Sequence, residues 1–271
     1  MSPAGKSSDS ARALPDRVPL LADMPRIVLG GIPIAVVTRS QAARQMLDAS
    51  RSALRGIRPL YLTSSNGEVI ARASGDEAIA RLFLAADQIV ADGQPLVIAS
   101  RFLCRQPLPE RVATTDLFHD VARLAVRSGH SFYFLGATQE ENRKAVERVR
   151  QAYPGLRIAG NSHGFLSGAE LERTLAEINA LAPDILWLAL GVPREQEFIA
   201  AHSDKLRQVG VIKTSGGLFN FLSGTNRRAP AWVQRAGFEW AFRVLLEPKR
   251  LFWRYLITNP QSAYLILTRS G

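Results

Sequence analysis

The sequence predicts an α/β fold in which a mostly parallel sheet carries helices on both faces. Short apolar runs alternate with longer segments of helical periodicity along most of the chain. Several of the short runs are almost wholly apolar, which is typical of strands buried on both sides of a parallel sheet. With 271 residues, 46% of them hydrophobic, the chain is long enough to bury the core that this architecture needs.

Six short apolar runs are predicted as strands, because each is too short for a helix and is followed by small or polar residues. A β-hairpin over residues 26–37, turning near Gly30 and Gly31, is predicted to precede them. The six predicted strands are residues 58–62, 88–91, 131–135, 156–159, 185–190 and 210–213.

Seven segments of helical periodicity lie between these elements. Strand and helix therefore alternate along the chain, as they do in a Rossmann-like, doubly wound sheet. The predicted helices are residues 39–54, 76–85, 95–103, 115–127, 139–152, 169–181 and 194–206.

The C-terminal segment, residues 227–271, has an unusual composition. Between residues 227 and 269 it holds eight Lys or Arg residues, only two acidic residues, Glu239 and Glu247, and three of the four tryptophans. Interleaved cations and aromatic rings suit the boundary between anionic lipid head groups and apolar tails. The alternative interpretation is a solvated basic face. A helix over residues 240–246 and a second helix beginning at Pro248 are predicted here.

Two arcs are predicted for this second helix. One arc carries the cations Lys249, Arg250 and Arg254. The opposite arc is predicted to pack inward and consists of Leu251, Phe252, Tyr255 and Leu256. We divide the chain into a mobile leader at residues 1–24, an α/β domain at residues 25–226 and a helical, membrane-associating appendage at residues 227–271.

Charge and cysteine content narrow the range of functions. The net charge of +10 predicts an anionic partner, namely a phosphorylated substrate, a membrane surface or a nucleic acid. The single cysteine, Cys104, excludes an internal disulfide and fits a reducing cytoplasm. No stretch approaches 18 consecutive apolar residues, so we expect the protein to lie on a membrane rather than to span it.

Small and polar residues follow the predicted strands. Ligands of open α/β sheets bind at the carboxyl ends of the strands, and helix N-termini there favour phosphate. This pattern predicts a nucleotide or sugar-phosphate site, although neither G-x-G-x-x-G nor a P-loop pattern is present. The residues expected to contact donor or acceptor are Ser64, Asn66, Gly93, Gln94, Asp116, Gly136, Gly191, Pro193, Glu195, Gln196, Gly216 and Gly217.

Several of these residues allow two interpretations. Asp92, at the end of a predicted strand, is either a general base for an attacking hydroxyl or the N-cap of the next helix. Asn66 either binds a sugar or closes a turn. Glu195 either holds sugar hydroxyls or complements a helix dipole. Asp116 is either a ligand contact or a cap, since it lies near the start of a helix.

No Asp-x-Asp pattern occurs in the sequence, so the usual means of holding a divalent metal on a nucleotide sugar is missing. We expect no metal site. A leaving diphosphate would need backbone N–H groups and the side chains of Arg or Lys.

A set of ordered motifs identifies the chain with a known family. They are Asn66, Ala91-Asp92-Gly93, Glu110-Arg111-Val112, Asp116-Leu117, Phe134-Leu135-Gly136, Tyr153-Pro154-Gly155-Leu156, Leu190-Gly191-Val192-Pro193, Gly216-Gly217-Leu218-Phe219, Ser223-Gly224, Arg228-Ala229-Pro230, Glu239-Trp240, Arg243, Glu247-Pro248 and Arg254-Tyr255. In these motifs the chain resembles the WecG/TagA/CpsF family of bacterial glycosyltransferases from about Ile27 to Pro260.

The resemblance implies inverting, metal-independent sugar transfer without a cofactor. The implied donor is a UDP-sugar, and the implied acceptor is a polyprenyl-diphosphate-linked saccharide at the inner face of the cytoplasmic membrane. Asp92 matches the family aspartate proposed as general base, and no nucleic-acid partner is expected. By the same resemblance, the arginines that bring the appendage to the diphosphate or the membrane are Arg228, Arg243, Arg250 and Arg254.

The chain departs from the family pattern at two places. Ser64-Ser65-Asn66 stands where the family has Thr-x-Asn, and Glu195-Gln196 reverses the usual Gln-Glu order. These departures favour the exopolysaccharide branch of the family, and hence glucose transfer as in xanthan-type gum assembly. The alternatives are transfer of N-acetylmannosamine or N-acetylmannosaminuronic acid, or a non-catalytic module that binds membranes or phosphosugars.

Overall fold

The computed structural model describes residues 24–52 and 54–271. The predicted leader, residues 1–24, lies outside the described residues except for Met24, which is buried in the core. The hairpin comes first, with strand β1 (Arg26–Leu29) antiparallel to β2 (Ile32–Ala35). Its turn residues Gly30 and Gly31 have φ values of 59° and 84°, a conformation that favours glycine.

A six-stranded parallel sheet forms the centre of the molecule, as the sequence predicts. Its strand order is β4-β3-β8-β7-β5-β6, and every neighbouring pair runs parallel. The strands are β3 (Leu60–Ser65), β4 (Gln88–Ala91), β5 (Ser131–Gly136), β6 (Arg157–Ser162), β7 (Ile185–Ala189) and β8 (Val211–Thr214).

Two strands extend three residues further toward the carboxyl edge than predicted. Ser64 and Ser65 belong to β3 because they pair with Val90 and Ala91 of β4. Likewise, β6 continues to Ser162, which pairs with Leu135. Polar residues with a neighbouring strand can continue a ladder, so their polarity alone does not end the strand.

Helices cover both faces of this sheet. Phe132 and Trp187 belong to the core on one face, beneath α1 and α5, whereas Tyr133 and Leu186 belong to the core on the other face, beneath α7. The helices up to β8 are α1 (Arg39–Ser50), α2 (Gly67–Gly75), α3 (Glu77–Leu84), α4 (Gln94–Leu103), α5 (Thr114–Ser128), α6 (Gln139–Ala152), α7 (Gly168–Leu181) and α8 (Arg194–His202). They are followed after β8 by α9 (Leu218–Leu222), α10 (Ala231–Arg235), α11 (Glu239–Leu246) and α12 (Pro248–Thr268).

The last helix packs along α2. A Cβ atom added to Gly67 would lie 2.9 Å from Ser262 Oγ, and Arg254 pairs with Glu68. Further along, Leu265 and Ile266 belong to the same core as the hairpin. Among the described residues, no helix is both long enough and apolar enough to cross a bilayer.

The predicted inward arc of α12 is partly wrong. Leu251 is buried and Tyr255 half-buried, but Phe252 and Leu256 are 48% and 52% exposed. The buried stripe includes Leu251, Ser262, Leu265 and Ile266. On a wheel of 100° per residue this stripe is centred near Leu251, which places Phe252 and Leu256 outside it.

Candidate active site

A cavity of about 1050 Å³ opens at the carboxyl edge of the sheet, where the sequence predicts ligand binding. Its floor, as we call the sheet side, includes Ser64 of β3, Asp92 after β4 and Thr214 of β8. Its outer wall comes from the C-terminal segment and includes Arg243 of α11 and Arg254 of α12. The cavity therefore lies between the α/β core and the start of the C-terminal helices.

Asp92 lies on the floor, and its carboxylate is held on both oxygens. Oδ2 accepts hydrogen bonds from the backbone N–H of Thr114 at 3.3 Å and from its hydroxyl at 2.9 Å. Oδ1 lies 3.3 Å from Nη2 of Arg111. Gly93 is the N-cap of α4, so Asp92 does not cap that helix. Its side chain is 24% exposed and lines the cavity. This geometry leaves Asp92 able to accept a proton from a bound hydroxyl.

Arg111 joins the floor to the outer wall. Its guanidinium contacts both the carboxylate and the backbone carbonyl of Asp92. Its Nη1 lies 2.6 Å from Oε2 of Glu239, the first residue of α11. The Arg111 and Glu239 side chains are 18% and 17% exposed, so solvent screens this ion pair only in part. The position of α11 is thus linked to the position of the carboxylate.

Lys213 lies beneath the floor, on the central strand β8, and is 1% exposed. Its ammonium donates to Ser64 Oγ at 2.9 Å and to the carbonyl of Thr214 at 2.8 Å. Burial lowers the pKa of Lys213 to about 8, against the opposing charges of Asp92 and Glu195. Sequence reasoning missed this residue as a member of the site. The available signal was a lysine ending the apolar strand Val211-Ile212-Lys213.

Glu195 is 3% exposed in the first turn of α8. Its Oε2 accepts the backbone N–H of Gly216 at 3.0 Å and so fixes the loop after β8. Burial raises the pKa of Glu195 to about 6, although hydrogen bonding to Gly216 and the charge of Lys213 act in the opposite direction. Gln196 is buried outside the cavity lining, at 1% exposure.

Two helices begin at the floor with their N-termini toward the cavity. Asn66 caps α2, since its side chain accepts the N–H of Val69 at 3.1 Å, which confirms the turn-closing interpretation for that oxygen. Gly93 and Gln94 begin α4. These termini supply N–H groups and positive dipole ends, which favour an anionic ligand.

The structure brings most of the predicted contact residues together. Those lining the cavity are Ser64, Asn66, Asp92, Gly93, Gln94, Gly191, Glu195, Gly216, Gly217, Arg243 and Arg254. Those outside its lining are Asp116, Gly136, Pro193, Gln196 and Arg228, and the side chain of Arg250 lies outside the described part of the chain.

Two of the residues outside the lining have structural partners. Asp116 pairs with Arg228, and this contact ties the start of the C-terminal segment to α5. Burial alone would raise the pKa of Asp116, but the hydrogen bond and charge of Arg228 outweigh it and leave that pKa lowered. Gly136 has a φ of 139°, and a Cβ atom there would lie 2.2 Å from the carbonyl oxygen of Ala189. Glycine is therefore required at this position, where the end of β5 approaches the backbone of its neighbour β7 closely.

The arginines of the outer wall differ in their contacts. Arg254 lies 3.3 Å from Glu68 and above the ring of Tyr255, so its side chain turns toward α2 and not outward with the predicted cationic arc. Arg243 lies 5.9 Å from the centre of the Phe221 ring, and no carboxylate pairs with it among the described residues. Arg243 is therefore a cation available to an anion in the cavity.

A parallel sheet whose carboxyl edge opens into a cavity lined by helix N-termini is typical of α/β proteins that bind phosphate-bearing ligands. The model of the glycosyl transferase WecG/TagA/CpsF family matches residues 27–270. The chain belongs to this family and is a glycosyltransferase.

Curated relatives have more specific names. A protein of Bacillus spizizenii is 31% identical over 208 residues, which cover 76% of this chain and 78% of the relative. It is named N-acetylglucosaminyldiphosphoundecaprenol N-acetyl-beta-D-mannosaminyltransferase. A Staphylococcus aureus protein with the same name is 30% identical over 192 residues, which cover 71% of this chain and 74% of the relative. These names give no support to the expected glucose transfer in exopolysaccharide synthesis, and they agree better with the N-acetylmannosamine alternative.

Proposed function

We propose that this glycosyltransferase moves N-acetylmannosamine from a UDP-sugar to N-acetylglucosaminyldiphosphoundecaprenol, with inversion at the anomeric carbon. The observation that carries the proposal is the held Asp92 carboxylate in a cavity walled by arginines, in a chain whose relatives are named for this transfer.

In this proposal Asp92 is the general base. The acceptor hydroxyl attacks the anomeric carbon from the face opposite the leaving diphosphate, and Asp92 takes the hydroxyl proton. Each carboxylate oxygen has two acceptor positions, and Thr114 occupies both on Oδ2. Arg111 occupies one on Oδ1, so the second position on Oδ1 is open to the acceptor hydroxyl. We therefore assign Oδ1 as the basic atom.

The leaving diphosphate gains negative charge as the glycosidic bond breaks. In the proposal, the N-termini of α2 and α4 and the cation of Arg243 stabilise this charge. Arg254 is a second candidate, because it lines the same cavity and has one carboxylate partner, Glu68.

The C-terminal segment would hold the enzyme at the inner face of the cytoplasmic membrane, where a lipid-linked acceptor is found. Leu245 is 80% exposed, and Trp253 and Ile257 are 67% and 64% exposed. These apolar side chains lie in a segment with eight Lys or Arg residues between positions 227 and 269. Exposed aromatic and aliphatic groups beside cations favour binding at an anionic lipid interface.

A donor screen tests the proposal. The full chain is incubated with a synthetic N-acetylglucosaminyl-diphospholipid and, separately, with UDP-N-acetylmannosamine, UDP-N-acetylglucosamine or UDP-glucose, and products are identified by mass spectrometry. We expect a disaccharide product from UDP-N-acetylmannosamine. Efficient transfer of glucose instead would restore the exopolysaccharide interpretation, and absence of transfer from every donor would contradict the proposed reaction.

A further inference from the structure

Lys213 is a buried cation without a direct ion-pair partner among the described residues. Its two hydrogen-bond acceptors are a hydroxyl and a backbone carbonyl, both neutral. A charged group buried with neutral partners destabilises a fold unless another benefit offsets it, and an apolar side chain of similar size is often tolerated better. The position of Lys213 therefore suggests a role beyond joining β8 to β3.

A continuous chain of hydrogen bonds leads from Lys213 to Asp92. Lys213 Nζ lies 2.9 Å from Ser64 Oγ, Ser64 Oγ lies 3.2 Å from Thr114 Oγ1, and Thr114 Oγ1 lies 2.9 Å from Asp92 Oδ2. The residues come from β8, β3, the first turn of α5 and the loop after β4. Four segments that are distant in sequence thus meet in one line.

The direction of this chain follows from donor chemistry. A protonated lysine only donates, so Ser64 accepts from it. An ionised carboxylate only accepts, so the single hydroxyl proton of Thr114 points to Asp92. The proton of Ser64 must then be donated to Thr114, because it is the remaining link. Every bond therefore points from the ammonium to Oδ2.

We propose that Lys213 is a positioning residue for sugar transfer, acting through Ser64 and Thr114 to keep Oδ2 of Asp92 occupied and leave Oδ1 as the base. This inference rests on the proposed role of Asp92. When Lys213 loses its proton, Ser64 is free to donate back to the lysine nitrogen. Thr114 can then turn its hydroxyl away from the carboxylate, and both oxygens of Asp92 compete for the acceptor.

The protonation state of Lys213 makes this arrangement sensitive to pH. Burial lowers the pKa of Lys213 to about 8, while the charges of Asp92 and Glu195 act in the opposite direction. Those two carboxylates are the ionisable groups that act on the ammonium, and Arg111 in turn contacts Asp92. The ordered chain is therefore present near neutral pH and is lost as the pH rises above about 8.

The decisive variant is Lys213→Met, which fills the buried space without a charge. We expect kcat to fall about tenfold or more, because a misplaced general base loses part of its roughly 10²- to 10⁴-fold contribution to the rate. The KM values for UDP-N-acetylmannosamine and for the lipid acceptor should stay within about twofold, because Lys213 does not reach the cavity. The decline of wild-type kcat above pH 8 should be absent from the variant. Lys205→Met is the matched control, because Lys205 pairs with Glu172 on the surface.

Ser64→Ala provides a second test that keeps Lys213 in place and also serves if Lys213→Met does not fold. The inference is supported if Ser64→Ala has a lower kcat and no longer shows the decline of kcat above pH 8. Ser64→Thr retains a hydroxyl, so it should restore both the kcat and the decline. The inference is overturned if Lys213→Met has an unchanged kcat and an unchanged pH profile. If Lys213→Met does not fold, the same result in Ser64→Ala overturns it. Asp92→Asn separates the two proposals. If it is inactive while Lys213→Met is unaffected, only the role of Lys213 fails.

Discussion

The floor and the outer wall of the cavity are built in different ways. Asp92 on the floor is joined through Thr114 and Ser64 to Lys213 beneath it, which is 1% exposed. The outer wall contains α11, whose Leu245 is 80% exposed. The floor is organised by hydrogen bonds between segments of the α/β core, whereas the wall presents exposed apolar side chains.

Among the described residues, three ion pairs connect the C-terminal segment to the α/β core. They are Arg228 with Asp116, Glu239 with Arg111 and Arg254 with Glu68. The end of α12 is different, since Leu265 and Ile266 pack in the hairpin core. In the proposed function the floor would carry out sugar transfer, and the wall would hold the enzyme at a membrane surface. Four variants can break or sharpen this contrast.

The largest effect is expected at the floor, from Asp92→Asn. Replacing the base should reduce kcat by roughly 10²- to 10⁴-fold, because the amide cannot accept the acceptor proton. Steady-state kinetics measures the loss, and circular dichroism checks that the variant is folded. Asp204→Asn, at an exposed position in a 3₁₀ turn, is the control. Turnover close to wild type in Asp92→Asn would remove this residue as the base.

The next effect is expected at the wall, from Leu245→Glu combined with Trp253→Glu. Each substitution removes an exposed apolar side chain whose burial in the membrane would contribute roughly 1.5–3 kcal/mol. Each also adds a negative charge that anionic lipid repels. Affinity for phosphatidylglycerol vesicles, measured by co-sedimentation, should fall at least about 100-fold. Ile57→Glu is the control, because Ile57 is 65% exposed at the opposite edge of the sheet. Equal vesicle binding by the double variant and the control would contradict the placement role.

A smaller effect is expected where floor and wall meet, from Glu239→Gln. It removes one partner of the Arg111 ion pair, a contact of roughly 1 kcal/mol, which corresponds to about fivefold in rate. We expect steady-state kinetics to show this loss of about fivefold in kcat, and thermal unfolding to show little change in the melting temperature. Glu77→Gln, in an exposed pair with Arg81, should have no effect. No loss of kcat in Glu239→Gln would show that α11 and Asp92 act independently.

The last effect concerns stability rather than activity. The pKa of Lys213 is lowered from 10.5 to about 8 by burial, so between these values the unfolded chain binds the proton that the folded chain has released. The free energy of unfolding should therefore rise with pH from about 8 toward 10.5, by about 1.4 kcal/mol per pH unit at most. Urea unfolding of the wild type and Lys213→Met between pH 7 and 9.5 measures this difference. If the free energy of unfolding changes with pH in the same way in both proteins, the buried charge of Lys213 does not destabilise the fold.

The sequence was sufficient for the features that depend on local pattern. Gly30 and Gly31 predicted the hairpin turn, and Asp92 was placed at a strand end next to a ligand cavity because its strand was a short apolar run. No helix is predicted at α2 from the sequence, because its N-cap Asn66 and its terminal residues Gly67 and Gly75 resemble a loop. That helix packs on α12, almost 200 residues later, a contact that a local pattern does not contain.

The remaining site residues depend on strand order and on tertiary contacts. Lys213 reaches Ser64 only because β8 lies beside β3 in the sheet. Arg111 joins Asp92 to Glu239 only because α11 folds back over the floor. Helical periodicity places Arg254 on a cationic arc opposite the predicted inward arc, whereas its pairing with Glu68 turns it toward α2. Sequence periodicity gives neither strand adjacency nor the identity of an ion-pair partner.

The most direct test compares Asp92→Asn with the Leu245→Glu, Trp253→Glu double variant on two forms of the acceptor. One is a short-chain, water-soluble N-acetylglucosaminyl diphosphate, and the other is the long-chain acceptor embedded in phosphatidylglycerol vesicles. We expect Asp92→Asn to be inactive on both, and the double variant to lose activity only on vesicles. Equal impairment of the double variant on the soluble acceptor would contradict the division between a catalytic floor and a placing wall.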